Sequence, residues 1–265
     1  MKILIAGKGG TGKTTIAALL SYIFSDEGFN VLAIDTDSVP NLALSLGIPL
    51  EVSRNIIPLV KNDKLVEEKT GAKPGEGWGL LFSLTPDVRD IVYNYSLKVR
   101  DNLRLLVVGS IDSSKEGCLC PAIALARALL RHLLLSEKEI VIVDSEAGAE
   151  VFGRGLAEKF EYMLCICEPT IKSIDICSKL CKMGKQLGIR NIVVVINKTQ
   201  DFNLANKLYK KMGLSYPYHI VRFDDNIVRI ELEEKGVNEL PQNSPALIDV
   251  RNLYKRFFSY IKKVR

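Results

Sequence analysis

The stretch "GKGGTGKTT", Gly7 to Thr15, decides the fold. It has the form G-x-x-x-x-G-K-[ST] and stands between the apolar run "KILIA" (2–6) and a helical pattern, the setting in which such a loop cradles phosphate. Gly7, Gly9, Gly10 and Gly12 let backbone N–H groups curl around phosphate oxygens, and the following helix turns its positive end to the same anion. Lys13 then reaches the β- and γ-phosphates and Thr14 offers its hydroxyl to Mg²⁺, with Thr11 and Thr15 completing the loop. The ligand this predicts is ATP or ADP with Mg²⁺. The alternative, a chance glycine turn, leaves the strand and helix on either side unexplained.

Outward from that loop, short β-branched runs alternate with longer helical patterns, as in a mostly parallel sheet covered on both faces. The clearest strands are "KILIA" (2–6), "VLAID" (31–35), "LRLLVV" (103–108), "EIVIVD" (139–144), "YMLCIC" (162–167) and "NIVVVIN" (191–197), with weaker candidates at 79–84 and 218–221. The expectation is a three-layer α/β fold of the P-loop NTPase type, with about seven to eight strands and residues 1–265 as one domain. Residues 68–79, "EKTGAKPGEGWG", read as an exposed loop within that domain. The segment 244–265 has apolar residues at helical spacing, and a helix docked on the sheet is the expectation; a basic amphipathic helix lying on a membrane is the alternative.

Composition is that of an ordinary globular protein: 265 residues, 47% hydrophobic and 25% charged. The net charge of +5 is spread along the chain, a weak pointer to nucleic acid, and none is expected as a partner. "MKILIAG" is too short for a signal peptide, and no apolar run reaches the roughly 18 residues of a membrane span. A cytoplasmic protein with no membrane partner is the expectation. Reducing surroundings then make the six cysteines core residues or metal ligands in preference to a disulfide framework.

Acidic residues fall where phosphoryl transfer needs them. Asp35 and Asp37 in "AIDTDSVPN" end the second strand, where carboxylates facing the phosphates hold Mg²⁺ through water and orient an attacking water. Asp144 ends "IVIVD" and is expected beside Mg²⁺, unless it is only a helix cap. Gly148 lets the next loop follow the γ-phosphate. Lys8 departs from an ordinary phosphate loop, because a lysine there points away from its own β/γ-phosphates. Its charge is either solvated or used on a partner's nucleotide.

The form "xKGGxGKT" resembles the deviant phosphate-loop ATPases, the group of MinD, ParA, the nitrogenase iron protein and the arsenite-pump ATPase. That resemblance implies two subunits face to face over two nucleotides, with Lys8 crossing the interface. It implies that Asp37 activates water, although the usual Pro after it is Ser38, and that Asn41 belongs to the same switch. Asn197 in "VVVINK" corresponds to an adenine-binding Asn. Relatives read Ile-Pro-Tyr/Phe where this chain has "IVRFDD", so Arg222 replaces a proline near the base edge.

The thiols divide by setting. Cys165 and Cys167 share one strand face with Met163 and read as core. Cys177 and Cys181 share a helix face packed on that sheet and also read as core, with metal binding as the alternative. Cys118 and Cys120 follow the polar loop "GSIDSSKEG" and precede a helix opened by Pro121, whose positive end favours thiolate, the form that binds soft metals. Metal binding, idle surface thiols and a redox disulfide are all compatible with this pair. Two thiolates are half a tetrahedral site, and a two-fold dimer would bring four sulfurs together.

A closer resemblance follows from "AGKGGTGKTT", "IIPLVKNDKLVEEKTG", Cys-x-Cys before a helix, "DSEAGAE", "CEPTIKSI" and "VINK", which together run from residue 5 to about 198. These resemble the nickel-insertion ATPases of carbon monoxide dehydrogenase, the CooC type. The resemblance implies an ATP-dependent homodimer that binds Ni²⁺ or Zn²⁺ at Cys118 and Cys120 and has the dehydrogenase as client. A spatial organiser of the MinD or ParA kind, acting on membrane or DNA, needs neither cysteine. An iron–sulfur reductase needs a cysteine after the Asp144 strand, where "DSEAGAEVFGRG" has none.

Overall fold

Apolar residues on both sides of β1, Lys2–Gly7, can be satisfied only in the middle of a sheet, and all six positions are buried. The structure, a computed structural model, describes residues 1–72, 83–109, 120–133, 138–148 and 160–261. Among the described residues eight strands form one sheet in the order β3-β4-β2-β5-β1-β6-β7-β8. The others are β2 (Asn30–Asp35), β3 (Leu97–Arg100), β4 (Leu103–Val107), β5 (Glu139–Asp144), β6 (Tyr162–Cys167), β7 (Asn191–Thr199) and β8 (Tyr218–Arg222). Every pairing is parallel except β3 with β4. The six clear strands and the candidate at 218–221 stand where expected. Of the candidate at 79–84, residues 79–82 lie outside the described residues, and the edge strand β3 was not anticipated: four half-polar residues are too few to reveal a period.

Helices cover both faces. The described ones are α1 (Lys13–Asp26), α2 (Leu42–Ser45), α3 (Leu50–Arg54), α4 (Asp63–Thr70), α5 (Ile91–Tyr95), α6 (Cys120–His132), α7 (Ile171–Gln186), α8 (Phe202–Lys211), α9 (Asp225–Leu232) and α10 (Pro245–Phe257). Alternation along β1 divides the core: Ile3 and Ile5 face α1 and α10, while Leu4 and Ala6 belong to the layer with α4, α6 and α7. Helix α4 runs to Thr70, so the loop expected over 68–79 begins later, and residues 73–79 lie outside the described residues.

The last helix docks on the sheet as expected. Ser244 caps it by accepting from the Leu247 N–H, with Pro245 at its start. Beyond its end Phe258 is fully buried and meets Phe24 and Tyr162 ring to ring, at centroid distances of 5.4 and 4.9 Å. No helix among the described residues is long and apolar enough to cross a membrane.

Candidate functional site

The loop after β1 has the dihedral angles that only its glycines adopt easily: φ is 78° at Gly10 and 90° at Gly12. Gly7 is tighter still, since a Cβ there would stand 2.3 Å from the Ile166 carbonyl of β6. Thr11 is buried, and its hydroxyl donates to the Lys8 carbonyl at 2.8 Å. Helix α1 begins at Lys13, directly behind left-handed Gly12, so the first-turn N–H groups of α1 have no side-chain cap. Lys13 is buried, with its Nζ 3.3 Å from the Lys8 carbonyl, while the Lys8 side chain is exposed. The two lysines thus differ in burial.

A cleft of about 410 Å³ opens on this loop. Gly9, Gly10, Gly12, Lys13, Thr14 and Thr15 form one end; Asp37 and Asn41 face them; Asn197 and Lys198 stand beside them. Phe223, Ile227 and Val228 give the far end an apolar wall fit for a base. Asn197 is buried and donates to the Thr11 carbonyl at 2.9 Å, so it joins β7 to the phosphate loop.

Register brings the acidic residues together: Asp35 of β2 pairs with Asp144 of β5, which also pairs with Ile5 of β1. Burial pushes the Asp144 carboxyl up to about 8, helped by Asp35 beside it and opposed by the Thr14 hydroxyl and Lys13. Its Oδ1 is buried without a hydrogen-bond partner among the described residues. A buried lone oxygen beside a threonine hydroxyl is an arrangement a hard cation satisfies, so Thr14 and Asp144 fit Mg²⁺.

Asp35 is engaged differently from the expectation that it faces the phosphates. Its Oδ1 accepts from the Asp37 N–H and its Oδ2 from the Leu42 N–H, both at 2.9 Å, and it is fully buried. Burial pushes it up to about 6 against those two N–H groups. Asp35 therefore orders the loop that carries Asp37 and Asn41, in place of lining the cleft. Asp37 is half-buried, accepting from the Ser38 hydroxyl and the Val39 N–H. Gly148, at φ 91°, returns the chain to the loop by donating to the Gly7 carbonyl at 3.1 Å.

Arg222 has a task that the missing proline did not suggest. Its Nε and Nη2 grip the two oxygens of Asp249 at 2.8 and 2.9 Å, tying the end of β8 to α10. Two further residues escaped the sequence reading. Lys198, left-handed at φ 56°, donates to the Gly10 carbonyl at 2.6 Å and pairs with Glu168 at 3.3 Å. Its place directly after Asn197 was the available signal. Asp224 caps α9 and fixes the apolar wall; "FDDNIVRI" is a legible cap followed by helical spacing.

Of the expected metal pair, Cys118 lies outside the described residues, and Cys120 is placed by its backbone alone, as the first residue of α6. After β4 the Val108 and Gly109 N–H groups both donate to the Asp35 carbonyl, at 2.9 and 3.2 Å.

Fold and site together define a nucleotide-binding ATPase of the P-loop class. Residues 2–237 match the CobQ/CobB/MinD/ParA nucleotide binding domain, and the chain belongs to that family. An ATP-binding protein of Methanocaldococcus jannaschii is 40% identical over all of this chain and 99% of its own length. The carbon monoxide dehydrogenase accessory protein CooC of Rhodospirillum rubrum is 40% identical over 75% of this chain and 74% of its own. Among solved structures, MinD of Pyrococcus horikoshii in complex with Mg-ADP superposes with a TM-score of 0.68 at 21% identity, covering 97% of this chain and 96% of that one. The last similarity concerns the fold.

Proposed function

We propose that this ATPase is a metallochaperone of the CooC type. Two chains close face to face over ATP, bind Ni²⁺ (or Zn²⁺) through Cys118 and Cys120 of both, and deliver nickel to a carbon monoxide dehydrogenase. The observation that carries the reading is the course of the chain around α6. After β4 the Val108 and Gly109 N–H groups donate to the Asp35 carbonyl, and the Cys-x-Cys segment of the sequence ends at Cys120, the first residue of α6. A dimer formed over the nucleotide would bring both copies of that segment near one axis. The 40% identity with the CooC accessory protein supports the same reading.

In that dimer the exposed Lys8 contributes its charge across the interface. Gly9, Gly10, Gly12 and the start of α1 hold phosphate, Lys13 neutralises it, and Asn197 stands beside the base. Thr14 and Asp144 hold Mg²⁺, which would neutralise charge on the β- and γ-phosphates. Asp37 orients water, and Asp35 keeps Asp37 in position. Nucleotide and metal both favour the closed form, so each raises the affinity for the other.

An organiser on a lipid surface is disfavoured by α10, whose apolar side is spent on Phe24 and Tyr162. Native mass spectrometry with and without ATP tests the proposal. The expected result is a dimer carrying a nickel or zinc ion shared by Cys118 and Cys120 of both chains, and loss of that ion in Cys118→Ser/Cys120→Ser. An ATP-loaded protein that stays monomeric refutes it.

A further inference from the structure

Four of the six cysteines meet at one contact inside the protein. Cys165 and Cys167 lie on the face of β6 that turns toward α7, and Cys177 and Cys181 lie on the side of α7 that covers it. All four are free and at most 1% exposed. The Sγ atoms of Cys165, Cys177 and Cys181 are within 4.8 Å of one another, and Cys167 is buried two residues from Cys165 on the same strand. The close approach has a cause: Gly184 has no side chain, and a Cβ there would stand 2.6 Å from the Met163 sulfur, so α7 sits low on β6. In sequence the set reads Cys-x-Cys, nine residues, Cys-x-x-x-Cys.

We infer that Cys165, Cys167, Cys177 and Cys181 form a buried thiolate site for a soft divalent ion of the zinc class, separate from Cys118 and Cys120. Sulfurs bound to Zn²⁺ at about 2.3 Å lie roughly 3.8 Å apart in a tetrahedron, so the observed triangle needs to close by only about 1 Å. Ordinary packing of small apolar thiols accounts for their burial. It does not require thiols from a strand and a helix, Cys165, Cys177 and Cys181, to stand within 4.8 Å of one another.

On binding, each thiol exchanges its S–H bond for an S–metal bond and releases its proton to solvent, with no change of oxidation state. Four protein ligands and no solvent-facing position make the site structural. The ion would clamp α7 onto β6, one residue from Glu168 and its pair with Lys198 at the phosphate loop.

The test uses the full-length Cys118→Ser/Cys120→Ser protein, purified under reducing conditions, with Zn²⁺ as the probe and Co²⁺ as its spectroscopic stand-in. The expected result is one Zn²⁺ per chain, a Co²⁺ form with thiolate charge-transfer and tetrahedral d–d bands, and a raised Tm. Adding Cys177→Ala and Cys181→Ala should abolish the bands. X-ray absorption at the zinc edge needs no core substitution, and a shell of sulfur alone is expected.

A Cys118→Ser/Cys120→Ser protein that takes up no Zn²⁺, a nitrogen or oxygen shell, or a disulfide among the four thiols overturns the inference. The proposed function fails separately. If the wild type carries no metal beyond what the double variant keeps, the Cys118/Cys120 reading falls and the buried site stands.

Discussion

Asp144 shows how far a single carboxyl can shape the behaviour of the site. The folded chain keeps a proton on it up to about pH 8, whereas the unfolded chain gives it up near 3.8. Across that window the native state binds more protons, so the free energy of unfolding falls as pH rises. Asp35, pushed up to about 6, adds to the slope in its lower part. Denaturation of the nucleotide-free protein should therefore show a midpoint that declines from about pH 5 to about pH 8, and Asp144→Asn should flatten the upper half of that decline. Asp37 differs from both, being half-buried and lining the cleft. Asp37→Asn keeps the hydrogen-bonding shape but not the charge, so ATP should still bind while turnover falls by about 100-fold or more. Near-normal turnover would assign water activation to another group.

Elements position these residues through contacts that can be loaded one at a time. The loop can lie against β6 only because residue 7 has no side chain, since a Cβ would press on the Ile166 backbone carbonyl. Gly7→Ala should destabilise the protein by about 1–3 kcal/mol, because the obstacle is backbone and cannot rotate away. Phe258 plays the corresponding part for the last helix, packed edge-on against Phe24 and tilted against Tyr162. Phe258→Ala should cost about 3–5 kcal/mol in urea denaturation, and a variant that loses less than about 1 would show that α10 is only loosely docked. Such elements were mostly legible in advance, because a buried parallel strand is a continuous apolar run and the phosphate loop has a fixed spacing. β3 was not, since its exposure alternates too briefly to be read. Nor was the task of Arg222, because its partner Asp249 is 27 residues away and only the fold joins them.

On the scale of the whole molecule, the sequence revealed residues better than meetings between residues. Asp35 was read correctly as a strand-end carboxylate, yet its oxygens turn to the backbone of the following loop, a local contact no motif encodes. Cys165, Cys167, Cys177 and Cys181 were each legible as core, and only the seating of α7 on β6 brings the sulfurs of Cys165, Cys177 and Cys181 within 4.8 Å of one another. Lys8 extends the same lesson beyond one chain. Its backbone carbonyl serves its own loop by accepting from Thr11 and Lys13, but its side chain is exposed. A structural lysine in a phosphate loop would be expected to pair within the loop, as Lys13 does. The exposed position leaves the ammonium available to a nucleotide facing it from another chain. Lys8→Ala removes that charge while keeping the φ and ψ of an ordinary residue, so each chain should still fold and bind ATP. What should disappear is the ATP-dependent rise in mass measured by light scattering, and with it the proposed cooperation between nucleotide and metal at Cys118 and Cys120. If the variant dimerises with ATP as well as the wild type, Lys8 is a solvated charge and the interface is built from other groups.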